Sequence, residues 1–224
     1  MANYEVAPEL LRGRVPPGTS LDFHDGKCFV SLIAFMFLDT RVLKIPVPFH
    51  VNFEEVNLRF YVKRETAAET RRGVVFVKEI VPRLAIATVA RLFYGEPYEA
   101  WRMSHAKTEN EISYAWWKAD EANRIKIEIG ENIGVPTENS HGEFIIEHYW
   151  GYTRRGANRT DEYKVEHPKW ELFKVKNYEI EADFGRLYGA EFAHLNDAKP
   201  HSLFMAKGSE VAVYKGATIV DGKS

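Results

Sequence analysis

Along residues 54–62, EEVNLRFYV, apolar and polar positions alternate with a period of two. Val56, Leu58, Phe60 and Val62 fall on one face, and Glu55, Asn57, Arg59 and Tyr61 on the other. That period belongs to a β-strand. The same reading predicts strands over 27–37, 54–64, 73–80, 111–118, 123–130, 142–153, 161–167, 171–181 and 209–216. Turn residues such as HDG, GENIG and RRGAN bound most of them. NRIKIEIG (123–130) alternates cleanly, with Ile125, Ile127 and Ile129 opposite Arg124, Lys126 and Glu128. It predicts an antiparallel strand with one wet side.

Two stretches carry helical spacing instead. PRLAIATVARLFYG (82–95) opens on Pro82 and stops at Gly95. DFGRLYGAEFAHLN (183–196) starts after Asp183, a good N-cap, although its two glycines oppose a continuous helix. No repeat, low-complexity linker or shift in composition divides the chain. One domain over 1–224 is expected, with a loose tail over 217–224. Its class is mainly β (α+β), a curved antiparallel sheet with about two helices. Nine strands strain a strongly twisted open sheet, so closure into a barrel is expected.

Composition narrows the partners. Hydrophobic residues are 45% and charged residues 28%, ordinary for a soluble domain. A net charge of −2 and a pI near 6.5 provide no basic field, so nucleic acid is not an expected partner. The longest apolar run, CFVSLIAFMFL, is too short to span a bilayer. MANYEVAPELL lacks the basic and apolar regions of a secretory signal, which makes the cytoplasm the expected location and a membrane an unexpected partner. The lone Cys28 sits in an apolar strand and reads as a small hydrophobe.

Strong local chemical motifs are absent: no Gly-rich phosphate loop, paired CxxC, HExxH or GxSxG. The histidines do not cluster by spacing, so neither metal nor cofactor is expected. Glu147 and His148 would face opposite sides of one strand. His148, in phase with Phe144, Ile146 and Trp150, reads as a satisfied buried histidine. His167, beside Pro168 and Trp170, reads as a packing or turn residue. The polar face of 54–62 stands out, because Asn is depleted from strands and Tyr is an uncommon surface choice there. Alternation alone does not separate a pocket wall from a wetted face.

The order of several segments adds a resemblance. PELLRGRVPPGTSLDFHDGKCFVSL is followed by DTRVLKIPVPFHVNFEEVNLRFYV, then by GVVFVKEIVPRLAIATVARLFYGEPYEAWRM, EFIIEHYWGYT and VEHPKWEL. Together, over roughly Pro8 to Val213, these resemble the uncharacterised YqjF-like bacterial proteins of the acetoacetate decarboxylase-like superfamily. The resemblance implies a cone-like, mostly antiparallel β-barrel around a pocket. In the decarboxylases that pocket holds a Schiff-base lysine with a depressed pKa. The lysine pair follows the proline of a YPKK-like segment; the matching segment here is YGEPYEA, which puts Tyr98 and Glu99 in those positions. Neither forms an imine, so the decarboxylase chemistry is expected to be absent unless Lys78 or Lys63 has moved into the site. Glu55 matches a pocket glutamate, a second one falls near Ser31 and is lost, and Arg41 matches a frequent arginine. The polar face of 54–62 is therefore expected to line a pocket.

Three functions remain open. A small-molecule binder would use Arg41, Asn57, Arg59 and Tyr61 to hold an organic acid or carbonyl compound. An enzyme of lyase or hydrolase type would use Glu55 as general acid/base and Tyr98 as hydrogen-bond donor, with Arg59 or Arg41 clamping an anion. In the blander case Glu55 and Arg59 only pair with each other. An interaction protein would present Trp116 and Trp117, although adjacent strand residues face opposite ways and one of the two belongs in the core. Free strand edges are compatible with a homodimer.

Overall fold

The alternating stretch forms β6 (Phe53–Glu65), antiparallel to β3 (Cys28–Phe37) on one side and β7 (Thr70–Val81) on the other. The computed structural model describes residues 1–42, 45–46, 52–84, 97–214 and 216–220. Beyond β3 the order runs through β1 (Ala2–Val6), β15 (Ser202–Ala206) and β14 (Leu172–Glu181). It continues through β11 (Glu121–Gly134) and β10 (Glu111–Lys118) to an edge at β9 (Arg102–Lys107). Beyond β7 come β12 (Trp150–Arg154), β13 (Arg159–Glu166) and β16 (Ala212–Val213). Short β2 (Ser20–Leu21) pairs with β6, and β8 (Tyr98–Ala100) pairs parallel with β7. The backbones of β4 (Arg41–Val42) and β5 (Ile45–Pro46) form a separate ribbon. Residues Ala217–Val220, expected in a tail, form β17 against β13.

The sheet does not close into the expected barrel. Among the described residues, β9 and β16 end the hydrogen-bonded order without pairing. Strand number tells how much sheet there is to curl. Whether the end strands meet depends on accumulated twist and on bulges, such as the three register shifts of β11 against β14, which alternation does not encode.

Both faces of β6 are nonetheless covered. Its apolar face packs with Phe184, Leu187, Tyr188, Phe192 and Leu195 in the larger core, and Tyr61 on the other face packs with Phe29, Phe144 and Ile145. The covering pieces are short helices: α1 (Glu9–Arg12), α2 (His141–Ile146), α3 (Phe184–Tyr188) and a 3-10 turn (Ala190–Leu195). Neither α1 nor α2 is among the expected helices, and the other two divide the stretch predicted as one helix over 183–196. The helix predicted over 183–196 is interrupted at Gly189, whose φ of 127° no helix accommodates. Asp183 caps its start, accepting from the Arg186 amide at 3.1 Å. The helix predicted over 82–95 lies almost wholly outside the described residues. Trp116 is fully buried and Trp117 sits beneath Arg102, 4.3 Å from its ring, so neither offers a bare aromatic surface.

The strand expected over 142–153 is half helix. Ser140 accepts from the Glu143 amide at 3.2 Å, and the Glu143 carboxylate accepts from the Asn139 amide at 2.6 Å. SHGE (140–143) is a capping-box pattern that starts α2 despite its strand-loving residues. The chain becomes extended again only at β12. Similarly, among the described residues 209–216 contributes just two strand residues.

Gly73 is where β7 and β12 approach. A Cβ there would lie 2.6 Å from the Trp150 carbonyl oxygen and 2.6 Å from the Tyr152 ring. Trp150 pairs with Gly73 in one of only two parallel registers joining these strands. Gly73→Ala is therefore expected to cost about 2 kcal/mol in denaturant unfolding, within the range for overpacking a rigid site. A loss below roughly 0.5 kcal/mol would show that the two strands separate freely.

Candidate functional site

The polar face of β6 is interior. Glu55 and Asn57 are each 2% exposed, Tyr61 is fully buried and Arg59 partly so. On β3, Phe35, Ile33 and Ser31 lie opposite Glu55, Asn57 and Arg59; on β7, Glu79 lies opposite Asn57. The parallel pairing of β8 sets Tyr98 opposite Glu79, within reach of the same face. Asn57 Nδ2 donates to Glu55 Oε1 at 2.8 Å and the Tyr98 hydroxyl donates to Glu55 Oε2 at 3.2 Å. Burial pushes the Glu55 pKa up to about 7, against the pull of those two hydrogen bonds and of the Arg59 charge. A carboxyl held there exchanges its proton near neutral pH, as a general acid or base must.

Arg59 does not neutralise Glu55. Its Nη2 donates to the Ile145 carbonyl at 3.1 Å, on α2, and its guanidinium carbon lies 5.6 Å from the Tyr61 ring centroid. Tyr61 is fixed differently, its hydroxyl 2.6 Å from Ser31 Oγ. Ser31 donates to Asn3 Oδ1 at 2.6 Å, and Asn3 Nδ2 donates to Ser202 Oγ at 2.9 Å. His141 Nε2 closes this chain, 2.8 Å from Ser202 Oγ. Sequence reasoning missed this support. Its signal was there in Asn3 and Ser31, polar residues inside the apolar strands ANYEV and CFVSLIAF.

The lysines stay away. Lys78 lies opposite Leu58, on the apolar side of β6, and pairs with Glu99 at 2.9 Å beside Trp101. Lys63 pairs with Glu65 at 3.4 Å. Glu99 is thus turned from Glu55, while its neighbour Tyr98 touches it. The Arg41 side chain lies outside the described residues.

His148 is a buried core histidine, in the linker after α2 and not on a strand, but only half satisfied, since its Nδ1 has no partner. Its Nε2 is 3.1 Å from Asp22 Oδ2, which also accepts from Arg72 Nε at 2.8 Å. Burial pushes the His148 pKa down to about 4 against the Asp22 hydrogen bond, so the ring is a neutral donor at pH 7. Burial works against the Asp22 charge too, but the hydrogen bonds from His148 and Arg72 outweigh it and hold Asp22 down at about 2. Glu147 turns to the Tyr149 hydroxyl, and His167 stacks on Trp170 at 4.0 Å.

Two open clefts flank Arg72. One, of about 380 Å³, includes Glu147, Tyr149 and Trp150; the other, of about 310 Å³, includes Asp22, His24 and Glu143. Neither contains Glu55. Most of the charged groups lining them already have ion-pair partners, such as Lys164 with Glu166 and Arg72 with Asp22. The interior face of β6 is the better candidate, because there a titratable group and unmet hydrogen-bonding atoms come together. Among the described residues no group of His, Cys, Asp and Glu is placed to hold a metal ion, and no helix is long and apolar enough to cross a membrane.

Comparison with known proteins places this geometry in context. A family model described as "Uncharacterized conserved protein", DUF2071, matches residues 1–210. The uncharacterized protein YqjF of Bacillus subtilis (strain 168) is 27% identical over 215 residues, covering 94% of this chain and 85% of that one. Acetoacetate decarboxylase from Legionella pneumophila superimposes with a TM-score of 0.62 at 12% identity, over 99% of this chain and 84% of that one. The enduracididine biosynthesis enzyme MppR, complexed with pyruvate, gives 0.59 at 10% identity, over 99% and 84%. At such identities the likeness is one of fold.

Proposed function

The chain belongs to the DUF2071 family of uncharacterized conserved proteins, and from that membership we propose that it binds a small organic acid or carbonyl compound on the interior face of β6, without a Schiff-base lysine. The burial of Glu55 between Asn57 and Tyr98, with Arg59 two residues along the same face, carries this reading. An arginine not neutralised by the neighbouring carboxyl is a ready partner for a carboxylate or a polarised carbonyl oxygen. The like-folded MppR is described with a small 2-oxo acid bound, which supports the ligand class by analogy of fold alone. The resemblance matches Tyr98 and Glu99 to the decarboxylase lysines, and the nearby Lys78 is committed to Glu99.

A second reading makes the site catalytic. It is favoured by the Glu55 pKa of about 7, which suits proton transfer to or from a bound acid while Arg59 steadies the developing negative charge and Tyr98 donates to it.

One screen tests both. Small carboxylates, β-keto acids and aromatic compounds are added to wild type and to a Glu55→Gln, Arg59→Ala double variant, and each melting shift is taken relative to the same protein without ligand. The expected result is a shift of several degrees in wild type, absent from a double variant that circular dichroism shows to be folded. Equal shifts across the panel would remove this face as the site. Turnover of the stabilising compound, with an apparent pKa near 7 that Glu55→Gln abolishes, would favour the catalytic reading.

A further inference from the structure

Two polar atoms on the interior face of β6 have no partner. Asn57 Oδ1 is a buried acceptor with no donor, and Arg59 Nε is a buried donor with no acceptor. Hydrogen bonds at their other ends fix which atoms are left over: Asn57 Nδ2 is held by Glu55 at 2.8 Å and Arg59 Nη2 by the Ile145 carbonyl at 3.1 Å. Native interiors leave few such atoms unmet. On β3 Asn57 faces Ile33 and Arg59 faces Ser31, whose hydroxyl already serves Asn3 and Tyr61; on β7 Asn57 faces Glu79, which makes no hydrogen bond to Oδ1, and Arg59 faces Phe76.

One molecule that satisfies both atoms must carry opposite chemistries. Toward Asn57 it needs a hydrogen donor; toward Arg59 it needs an acceptor, best an anionic one. Residues two apart on a strand are about 6.6 Å apart along it, and the arginine stem is long, so the two groups belong on a short carbon skeleton. The donor's nature follows from its surroundings. An ammonium would have to shed its water beside the Arg59 cation, two residues along the same face. A hydroxyl meets the same acceptor without that cost.

We infer that the interior face of β6 takes a short hydroxy acid, its hydroxyl donating to Asn57 Oδ1 and its carboxylate accepting from the Nε edge of Arg59. This narrows, and rests on, the small-acid reading above. Asn57 becomes the residue that distinguishes a hydroxy acid from its deoxy counterpart, and Arg59 the residue that holds either one.

Isothermal titration at pH 7 with butyrate, 2-hydroxybutyrate, 3-hydroxybutyrate and 3-aminobutyrate tests the assignment on wild type. One of the hydroxy acids is expected to bind roughly ten- to hundredfold tighter than butyrate, as when a buried polar atom gains its missing partner. In Asn57→Leu the preference over butyrate should fall below about twofold, whereas Arg59→Gln should weaken every acid. The wild-type comparison decides the matter even if Asn57→Leu does not fold. Butyrate binding as tightly as both hydroxy acids would overturn the inference, the two atoms then being served by water, and would leave the small-acid reading standing. Tighter binding of 3-aminobutyrate would replace the hydroxyl by an ammonium. Binding by none of the four would bring down the inference and the small-acid reading together.

Discussion

Glu55→Gln is expected to melt roughly 5–8 °C above wild type at pH 8 and within about 2 °C of it at pH 5. The carboxyl has an ordinary pKa of 4.5 and is pushed up to about 7 by burial. Between those values the unfolded chain has lost the proton that the folded chain keeps. Folded protein thus binds more protons there, and its stability falls as pH rises from 4.5 through 7. Across the whole window the loss is about 3 kcal/mol. Glutamine stays neutral, retains an amide oxygen for Asn57 or Tyr98, and escapes that loss. The gain in stability would come with loss of the group that makes the site chemically competent, a common exchange at functional positions. A Glu55→Gln protein no more stable than wild type at pH 8 would show that a partner compensates the buried charge.

Asp22→Ala is expected to lose about 3 kcal/mol in denaturant unfolding at pH 7. The substitution strips the partner from Arg72 and from the fully buried His148 ring at once. Breaking a buried pair from one side typically costs 3–5 kcal/mol, and the partial exposure of Arg72 argues for the lower end. The Asp22 contribution is fully present above its ordinary pKa of 3.8 and is lost as pH falls through about 2, so the deficit should shrink under acid. A deficit below 1 kcal/mol at pH 7 would mean that water replaces the carboxylate freely.

These two clusters oppose one another in pH. His148 ordinarily titrates near 6.5 and is pushed down to about 4, so between those values the unfolded chain binds the extra proton and stability falls as pH drops. Glu55 acts in the opposite sense over much of the same range. His141, pushed down to about 4 by burial, acts with His148, so wild-type stability should rise with pH between 4.5 and 6.5 despite Glu55, and Glu55→Gln should steepen that rise. Melting curves of both proteins across that range test the opposition directly.

Much of the sheet was legible along the chain because a strand's period is local. The stretch 111–118 forms β10 with the expected bounds, and β3, β6, β7, β11, β13 and β14 lie within a few residues of theirs. Where local signals competed, patterning failed. The strand-loving residues after Gly142 hid a helix start that SHGE announced, and Gly189 split a helix whose apolar spacing ran on.

Alternation also separated Glu55, Asn57, Arg59 and Tyr61 from the apolar face of their strand. It placed all four on one side, and there its information ended. Which side is dry, whether Arg59 meets Glu55 or a helix carbonyl, and which hydroxyl holds Tyr61 depend on α2, β1, β8 and β15, all distant along the chain. Closure of the sheet belongs with these, because it sums twist over many strands while alternation describes one at a time. The protonation of Glu55 belongs here as well: the sequence supplies a carboxyl, and only the tertiary structure removes the water that would have kept it charged.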